Sequence, residues 1–255
     1  MSLAENAVCE GSPEKALERF LCRLLRHSQL GDREQAEILR LTCRPAQIRP
    51  RQDIVAPGRI VDHACLIGKG LAARFDQMRN GRRQTTALHI PGDMADLHSV
   101  VRPKARWSIT ALTTTTVLYV PHVELRRLAS TYPNIALAFW RDATIDASII
   151  AKWLVSVGQK SAKGRVAHLF CEMGVRLEAA GLGTRNVFDL PMTQDQLADA
   201  VGITAVHLNR TMQVLRATGL FSFSQGLVEI ADWPNVASIA EFDSSYMEIS
   251  NADQP

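Results

Sequence analysis

The sequence predicts a mixed α+β protein in three parts: an N-terminal domain of short strands, one long helix, and a C-terminal domain of helices and a β-hairpin. Three observations predict this order. Short apolar runs alternate with turn residues between residues 43 and 120, as in a β-sandwich or jelly roll. Apolar residues then recur at helical spacing from about Asn134 to Gly158. Residues 193–230 show two short helical patterns followed by an alternating, strand-like segment.

The composition is that of an ordinary globular protein with an uneven distribution of charge. The chain has 255 residues, enough for two domains, with 46% hydrophobic and 22% charged residues. The net charge is +3, and no Lys or Arg follows Arg216, whereas six acidic residues do, so that residues 1–216 carry +9. A basic surface suits phosphate contact, although a solvated basic face is the simpler interpretation.

The five cysteines form no C-x-x-C pair, and an iron–sulfur cluster, which needs grouped thiolates, is therefore not expected. We expect free thiols in a reducing cytoplasm, most of them acting as small buried hydrophobic side chains. No leader-like segment opens the chain, and no apolar run approaches the ~20 residues of a membrane span. The cysteines are Cys9, Cys22, Cys43, Cys65 and Cys171.

The N-terminal domain is predicted over residues 1–132. A loosely held terminus over residues 1–13 leads to two short helices, Glu14–Arg26 and Asp32–Leu41. In the strand region, Asn80-Gly81 is the strongest hairpin signal, because both positions of a two-residue turn favour positive φ. The β-branched residues of Thr113–Val120 favour a strand. We therefore predict a jelly-roll-like β-roll.

A long helix is predicted over residues 133–158. It follows a short helix over His122–Ser130 and has Pro133 in its first turn. A narrow apolar seam on so long a helix is typical of a dimer interface, so we predict a dimerisation helix. Burial of the seam against the chain's own β domain is the alternative. The seam consists of Ile135, Phe139, Asp142, Ile145, Ile149, Trp153 and Val157.

The C-terminal domain is predicted over residues 159–240, before an acidic tail over residues 241–255. A helix over Ala162–Ala180 and a strand over Val187–Leu190 lead to a segment in which Thr193 caps one helix and Thr204 caps the next. Gly202 supplies the positive φ of the tight turn between them. The buried faces contain Leu197, Ala198 and Val201 in the first helix, and Leu208, Met212 and Leu215 in the second.

The segment Leu220–Ile230, broken at Gln225-Gly226, follows as a β-hairpin. Two helices joined by a tight turn and followed by a hairpin are typical of a winged helix-turn-helix, whose second helix enters the DNA major groove. An ordinary helical hairpin inside a core is the alternative interpretation.

The order of these elements resembles the Crp/Fnr family of bacterial transcription regulators. Residues 81–93 look like the family's β-roll hairpin with its Pro-Gly-Asp turn, and residues 190–202 and 204–216 resemble its DNA-binding signature. The resemblance covers roughly residues 48–231. It implies a homodimer that reads a pseudo-palindromic operator in double-stranded DNA, an effector at the β-roll, and RNA polymerase as a further partner.

The resemblance carries over poorly at the effector site. Cyclic-nucleotide binders of the family have a Gly-Glu pair after the Pro-Gly-Asp turn, which holds the ribose, and an Arg-Ser pair, which holds the phosphate. Here Asp96 is the nearest acid, and Arg106 and Ser108 replace the pair out of register. We expect neither a cyclic nucleotide nor any other evident cofactor or metal, with Arg106 an exposed loop charge. Haem-binding members use a histidine ligand, and nothing distinguishes His63, His89 or His98 for that role.

The resemblance assigns the base-facing positions of the recognition helix to Ala205, Val206, Asn209 and Arg210. Arg210 is expected to pair with guanine, Val206 to pack on a thymine methyl, and Asn209 to read adenine or to remain solvated. Ala205 and Val206 stand where the family's cyclic-AMP receptor has charged readers, so a different operator is expected. The two helix caps and the amides beside them are expected to contact DNA phosphates, and His207 is expected to contact the DNA backbone. These caps are Thr193 and Thr204.

The sequence favours a cytoplasmic, dimeric DNA-binding regulator over two other functions. In one, a ligand-binding protein uses its winged helix to contact protein rather than DNA; the absence of acidic residues from the helix Thr204–Gly219 argues against it. The other is an enzyme. No nucleophile elbow, phosphate loop, H-E-x-x-H motif or paired carboxylates support catalysis.

Overall fold

The computed structural model describes residues 11–248, which divide into two units. The first contains residues 11–75, 88–146 and 248, and the second contains residues 76–87 and 147–247. Cys9, most of the predicted loose terminus and residues 249–255 of the acidic tail lie outside the described residues.

Two helices open the first unit. Helix α1 (Pro13–Leu25) is capped by Ser12, whose hydroxyl accepts a hydrogen bond from the Lys15 amide, and α2 spans Asp32–Leu39. The apolar face of α1, which includes Phe20 and Leu24, is buried in the core of the unit. Cys22 lies on the opposite, exposed face of α1. Of the four described cysteines, Cys65 and Cys171 are buried and Cys43 is half-buried against the core of the first unit, so the prediction of mostly buried thiols holds in part.

Seven strands follow in two antiparallel sheets, with the orders β1-β7-β3 and β2-β6-β4-β5. This arrangement confirms the predicted β-roll. The segment around Ile60 lies outside these strands and is held by an isolated bridge to Lys104 and by a hydrogen bond from the Val61 amide to the Pro103 carbonyl at 3.0 Å. The strands are β1 (Arg44–Ile48), β2 (Asp53–Val55), β3 (His63–Lys69), β4 (Ala72–Gln77), β5 (Arg83–His89), β6 (Ser108–Ala111) and β7 (Thr115–Pro121).

The hairpin between β4 and β5 turns at the predicted place with a different geometry. Only Gly81 has a positive φ, of 84°, and its amide donates to the Met78 carbonyl at 2.9 Å. The next bond runs from the Met78 amide to the Arg82 carbonyl at 2.8 Å. The amide of the fourth turn residue thus bonds to the carbonyl of the first, and that fourth residue is a left-handed glycine. This is the pattern of a three-residue hairpin loop. One residue of positive φ therefore suffices.

Helix α3 (His122–Thr131) precedes the long helix α4 (Pro133–Gln159). The predicted seam of α4 is buried within the chain itself from Ile135, which is 0% exposed, to Trp153, which is 6% exposed. The interpretation of these residues as a dimer interface was wrong. The alternative, burial against the β domain, is correct for the first turns, where Ile135 and Phe139 belong to the core of the first unit, whereas Trp153 is held by Glu172 in the second unit. The first turns of α4 pack with α1: the rings of Phe20 and Phe139 stack with centroids 6.2 Å apart.

The second unit is built around α5 (Ala162–Ala179), which Ser161 caps by accepting a hydrogen bond from the Gly164 amide. Phe170 of α5 contacts Phe221 and Phe223 of the C-terminal sheet, with ring centroids 5.2 and 5.7 Å away. This sheet has the order β8-β10-β9. The remaining elements are β8 (Val187–Asp189), α6 (Gln194–Val201), α7 (Ala205–Ala217), β9 (Phe221–Ser224), β10 (Leu227–Ile230) and α8 (Trp233–Ala240).

A buried carboxylate joins α4, α5 and the C-terminal segment inside the second unit. Glu172 is 0% exposed and accepts hydrogen bonds from the indole of Trp153 and the hydroxyl of Tyr246, each at 2.9 Å. Arg176 donates to the other carboxylate oxygen at 3.3 Å. Burial raises the pKa of Glu172, and Arg176 opposes this rise. Three donors thus compensate for the desolvation of one acidic side chain.

None of the helices among residues 11–248 combines the length and apolar character needed to cross a bilayer.

Candidate nucleic-acid interface

The first helix of the predicted DNA-binding segment begins with a complete capping box. The Thr193 hydroxyl accepts a hydrogen bond from the Gln196 amide at 3.3 Å, and the Gln196 side chain accepts one from the Thr193 amide at 2.8 Å. This pair satisfies two amides that the first helical turn leaves unpaired. Gly202 ends α6 with φ 67° and donates its amide to the Ala198 carbonyl. The turn chemistry is as the sequence predicts.

The second helix, α7, presents one polar face to solvent. Thr204 caps it by accepting a hydrogen bond from the His207 amide at 3.2 Å. Its buried face contains Leu208, Met212 and Leu215, as predicted. Val206 is 63% exposed, and His207 and Arg210 are also exposed, whereas Ala205 and Asn209 are half-buried.

Two open grooves flank α7. One, of about 780 Å³, is lined by Thr204, His207 and Arg210 on one side and by Ser161 and Lys163 of α5 on the other. The second, of about 470 Å³, lies between α7, the start of α6 and the turn after β9. Thr193 and Asn209 line this second groove. The predicted DNA-contact residues thus line one or the other of these grooves, except Ala205, which lies on α7 but lines neither.

The N-termini of three helices lie beside these grooves, at Ser161, Thr193 and Thr204. A helix N-terminus presents unpaired amides and the positive end of the helix dipole, and it therefore favours anions. Lys163 and Arg210 add full positive charges to the larger groove. The arrangement is suited to contact phosphate oxygens on both sides of an exposed helix.

Sequence reasoning missed three residues of this surface: Ser161, Lys163 and Arg216. Arg216 lines the second groove and donates to the Phe223 carbonyl at 2.7 Å, which ties α7 to the hairpin. The sequence does show the pair Ser161 and Lys163, a helix-capping residue followed two positions later by a lysine, at the start of α5. The proximity of α5 to α7 was not, because it depends on long-range packing.

The wing is the hairpin β9–β10. Gln225 and Gly226 of its turn have φ values of 52° and 86°. Two successive positive φ angles are typical of a type I′ turn, whose twist matches that of paired strands. Gln225 lines the second groove, so the tip of the wing lies beside the polar face of α7.

The predicted effector residues do not form a comparable site. Asp96 is 2% exposed, and its carboxylate accepts a hydrogen bond from the Cys65 amide at 2.6 Å. Arg106 is exposed and Ser108 is half-buried. Burial raises the pKa of Asp96 and of the Cys65 thiol beside it. One carboxylate oxygen of this buried acid is thus engaged by strand β3.

The residues around the Pro-Gly-Asp turn pack against the protein itself. The position after the Pro-Gly-Asp turn holds Met94, whose side chain is 2% exposed and packs in the core of the first unit. Arg74, the buried guanidinium of the β-roll, lies over the Trp107 ring at 5.3 Å. The nearest acid after the turn, Asp96, is buried, and the candidate phosphate-binding arginine, Arg106, is exposed.

The three histidines considered as haem ligands have different surroundings. His63 Nδ1 lies 2.7 Å from an oxygen of Asp62. His89 is buried. The His98 ring packs against Trp107 with centroids 5.2 Å apart, and burial lowers the pKa of His98 to about 4. Among residues 11–248, no three His, Cys, Asp or Glu side chains converge in a metal-binding arrangement.

Two family models match the chain. The cyclic nucleotide-binding domain matches residues 45–132, and the Crp-like helix-turn-helix domain matches residues 164–239. These ranges coincide with the β-roll and with the part of the second unit that contains the candidate interface.

Curated relatives resemble the chain over most of its length. The transcriptional activator protein FnrL of Cereibacter sphaeroides is 22% identical over 207 residues, which is 80% of this chain and 80% of that protein. The nitrogen fixation regulation protein FixK of Azorhizobium caulinodans is 23% identical over 187 residues, 73% of this chain and 75% of that protein. The solved structure of FixK2 from Bradyrhizobium japonicum is similar in fold, with a TM-score of 0.68 at 20% identity, covering 78% of this chain and 98% of that one.

Proposed function

Because this chain belongs to the Crp/Fnr family and is a DNA-binding transcription regulator, we propose that it is a homodimer that reads a pseudo-palindromic operator with α7. The exposed N-terminal half of α7 between two grooves carries this proposal, since it offers base-reading side chains at its centre and anion-binding groups on both sides.

We propose that Arg210 reads a guanine. Its guanidinium is exposed on the polar face of α7 and lines the larger groove. A guanidinium can donate two parallel hydrogen bonds, and guanine presents two acceptors, O6 and N7, at the matching spacing. Such a bidentate pair contributes about 1–3 kcal/mol of discrimination against the other bases. Val206, at 63% exposure, is available to a thymine methyl, and Asn209 to an adenine.

We propose that the phosphates are held by the helix caps and Lys163. Ser161, Thr193 and Thr204 each cap a helix beside a groove, and Lys163 lies across the larger groove from Arg210. Contacts of this kind fix the register of the protein without reading sequence. His207, which lines the same groove, is assigned a backbone contact.

We propose that the dimer forms through the exposed face of α4, opposite the buried seam. The exposed positions repeat every seven residues, as the a and d positions of a coiled coil do. Leu154 is 74% exposed and Trp140 is 71% exposed, although both are large and apolar. The face, called here the α4 stripe, consists of Leu137, Trp140, Thr144, Ala147, Ala151, Leu154 and Gly158.

We propose that the protein acts in the cytoplasm without a cyclic nucleotide, a cluster or another resident cofactor. Support comes from the use of Asp96 by the Cys65 amide and from the exposure of Arg106. Any signal at the β-roll would then be of another chemical kind, and RNA polymerase remains the further partner that the family implies.

Selection of genomic DNA fragments with the purified protein, at physiological salt and without added ligand, tests the proposal. We expect enrichment of a palindromic motif. Arg210→Ala should relax the preference at one position in each half-site, whereas Lys163→Ala should weaken binding to all sequences alike and reduce the salt slope by about one. The absence of any enriched motif with and without cyclic nucleotides, or an unchanged motif for Arg210→Ala, would contradict the proposal.

A salt series separates this function from contact with a protein partner. Binding to DNA should weaken steeply as salt rises, because each phosphate contact releases counterions.

A further inference from the structure

The C-terminal end of α6 lies next to the turn of the helix-turn-helix and leaves carbonyl groups that need donors. The last turn of any α-helix has no amides of its own for its final carbonyls. The amides of Gly202 and Ile203 both bond to Ala198, the latter at 3.1 Å. The carbonyls of Asp199, Ala200 and Val201 therefore depend on other parts of the molecule.

Two side chains from outside α6 supply these donors. The Gln84 amide nitrogen donates to the Asp199 carbonyl at 3.1 Å and lies 3.5 Å from that of Ala200. Arg165 of α5 donates to the carbonyls of Val201 at 3.3 Å and Gly202 at 3.4 Å. Gln84 belongs to β5, in the β4–β5 hairpin, and is separated from Asp199 by 115 positions in the sequence.

Close approach at the turn makes this contact dependent on Gly202. A Cβ atom added to Gly202 would lie 3.0 Å from Oε1 of Gln84 and 3.1 Å from Cγ1 of Val157. A glycine is therefore required here for two reasons. It adopts the positive φ of 67°, and its lack of a side chain lets the hairpin and α4 pack closely against the turn. Arg83, the neighbour of Gln84, places a positive charge where it interacts with Asp199. A cation near a helix C-terminus is favourable.

The contact leaves the candidate interface open. Neither groove beside α7 is lined by Gln84 or Asp199. Thr193, which lines one groove, lies at the opposite end of α6, about 10 Å away at 1.5 Å per residue. The hairpin thus holds the helix-turn-helix from the side that does not meet DNA.

We propose that Gln84 is a positioning residue for DNA recognition: the β4–β5 hairpin, residues 76–87, caps α6 and thereby couples its own position to that of the helix-turn-helix. This inference rests on the proposed DNA-binding function. A displacement of the hairpin would act on α6 directly, through the amide of Gln84 and the charge of Arg83, and α7 is not needed to transmit it.

The test uses the full chain and two measurements. Gln84→Ala removes the donor, and Gln84→Glu replaces it with a carboxylate facing carbonyl oxygens, whereas Gln84→Lys keeps a donor. Gln77→Ala is the matched control, because the Gln77 amide also donates to a carbonyl, that of Gly81 at 3.2 Å, but does so within the hairpin. Amide hydrogen exchange over residues 200–204 and the affinity for the enriched DNA fragment are measured for each variant.

We expect exchange over residues 200–204 to rise about fivefold in Gln84→Ala, from the loss of one hydrogen bond, and further in Gln84→Glu. DNA affinity should fall by a similar factor, and Gln84→Lys should recover most of both. Gln77→Ala should behave as the unaltered protein. Unchanged exchange in both Gln84→Ala and Gln84→Glu would overturn the contact, and faster exchange with unchanged DNA affinity would overturn the positioning role. An unaltered protein that binds no DNA would refute the proposed function, while exchange still tests the cap.

Discussion

Arg23 is surrounded by three carboxylates in the first unit. Its guanidinium contacts Asp142 at 2.5 Å, Asp93 at 2.8 Å and Asp146 at 3.2 Å. These contacts join α1 to the Pro-Gly-Asp turn of the β-roll and to α4. One cation among three acids leaves excess negative charge. Burial and the neighbouring Asp146 outweigh Arg23 and raise the pKa of Asp142 to about 6.

The raised pKa of Asp142 predicts a pH-dependent stability. Between the ordinary pKa of 3.8 and the folded value of about 6, the folded protein holds a proton that the unfolded chain has lost. The folded protein therefore loses stability as pH rises through this window. Above the window, the buried Asp142 is ionised and the whole free-energy cost of burying its charge lowers the stability. Asp142→Asn cannot lose a proton, so we expect it to melt at a higher temperature than the unaltered protein at pH 7.5.

Thermal melting between pH 5 and 7.5 checks this prediction. The advantage of Asp142→Asn should shrink towards pH 5, where Asp142 itself is protonated. Asp76→Asn, at an exposed carboxylate on β4, is the control and should show no such trend. A difference between Asp142→Asn and the unaltered protein that stays constant across this range would argue against the raised pKa.

At the scale of the element, α4 has two apolar faces with different fates. The seam that includes Ile145 and Ile149 is buried within the chain, at 4% and 3% exposure. The α4 stripe remains exposed although it contains Trp140 and Leu154. Full burial of a large apolar side chain contributes about 1.5–3 kcal/mol, so an uncovered stripe of this kind favours association.

The α4 stripe predicts that its large residues hold the dimer together. Trp140→Glu with Leu154→Glu would place charges at two a or d positions of the repeat, and we expect the double variant to be monomeric at micromolar concentration. Sedimentation analysis measures the mass. Val101→Glu with Val123→Glu is the matched control, since these valines are 84% and 64% exposed but lie off the stripe. A dimeric double variant of the stripe would show that association uses another surface.

At the scale of the whole molecule, a two-fold dimer constrains the operator. Two copies of α7 related by symmetry contact the same face of DNA only when the half-sites are about 10 base pairs apart, or a multiple of this. We expect the insertion of about five base pairs between the half-sites to reduce affinity to the non-specific level, because one half-site then faces away.

Titration of the unaltered and extended operators at one salt concentration measures this effect. An insertion of about 10 base pairs should restore part of the affinity, which separates rotational phase from mere length. Equal affinity for all three operators would indicate that each protomer binds DNA independently.

The sequence by itself determined the elements and the nature of the DNA-binding segment. Its signals are local: Thr193 and Thr204 cap helices within three residues, Gly202 provides the positive φ of one turn, and Gln225-Gly226 another. Interactions within one or two turns of helix depend little on the rest of the chain. For this reason the order of β-roll, long helix and winged helix-turn-helix was predictable, and with it the family.

The tertiary structure alone decided which surfaces and polar groups are used. The period of α4 could not say which apolar face the chain buries, because both faces repeat at spacings of three and four. Asp96 is engaged by the Cys65 amide, 31 positions away, and α6 is capped by Gln84, 115 positions away. Such contacts depend on how distant elements pack, and no local pattern encodes the partner that burial brings to a polar group.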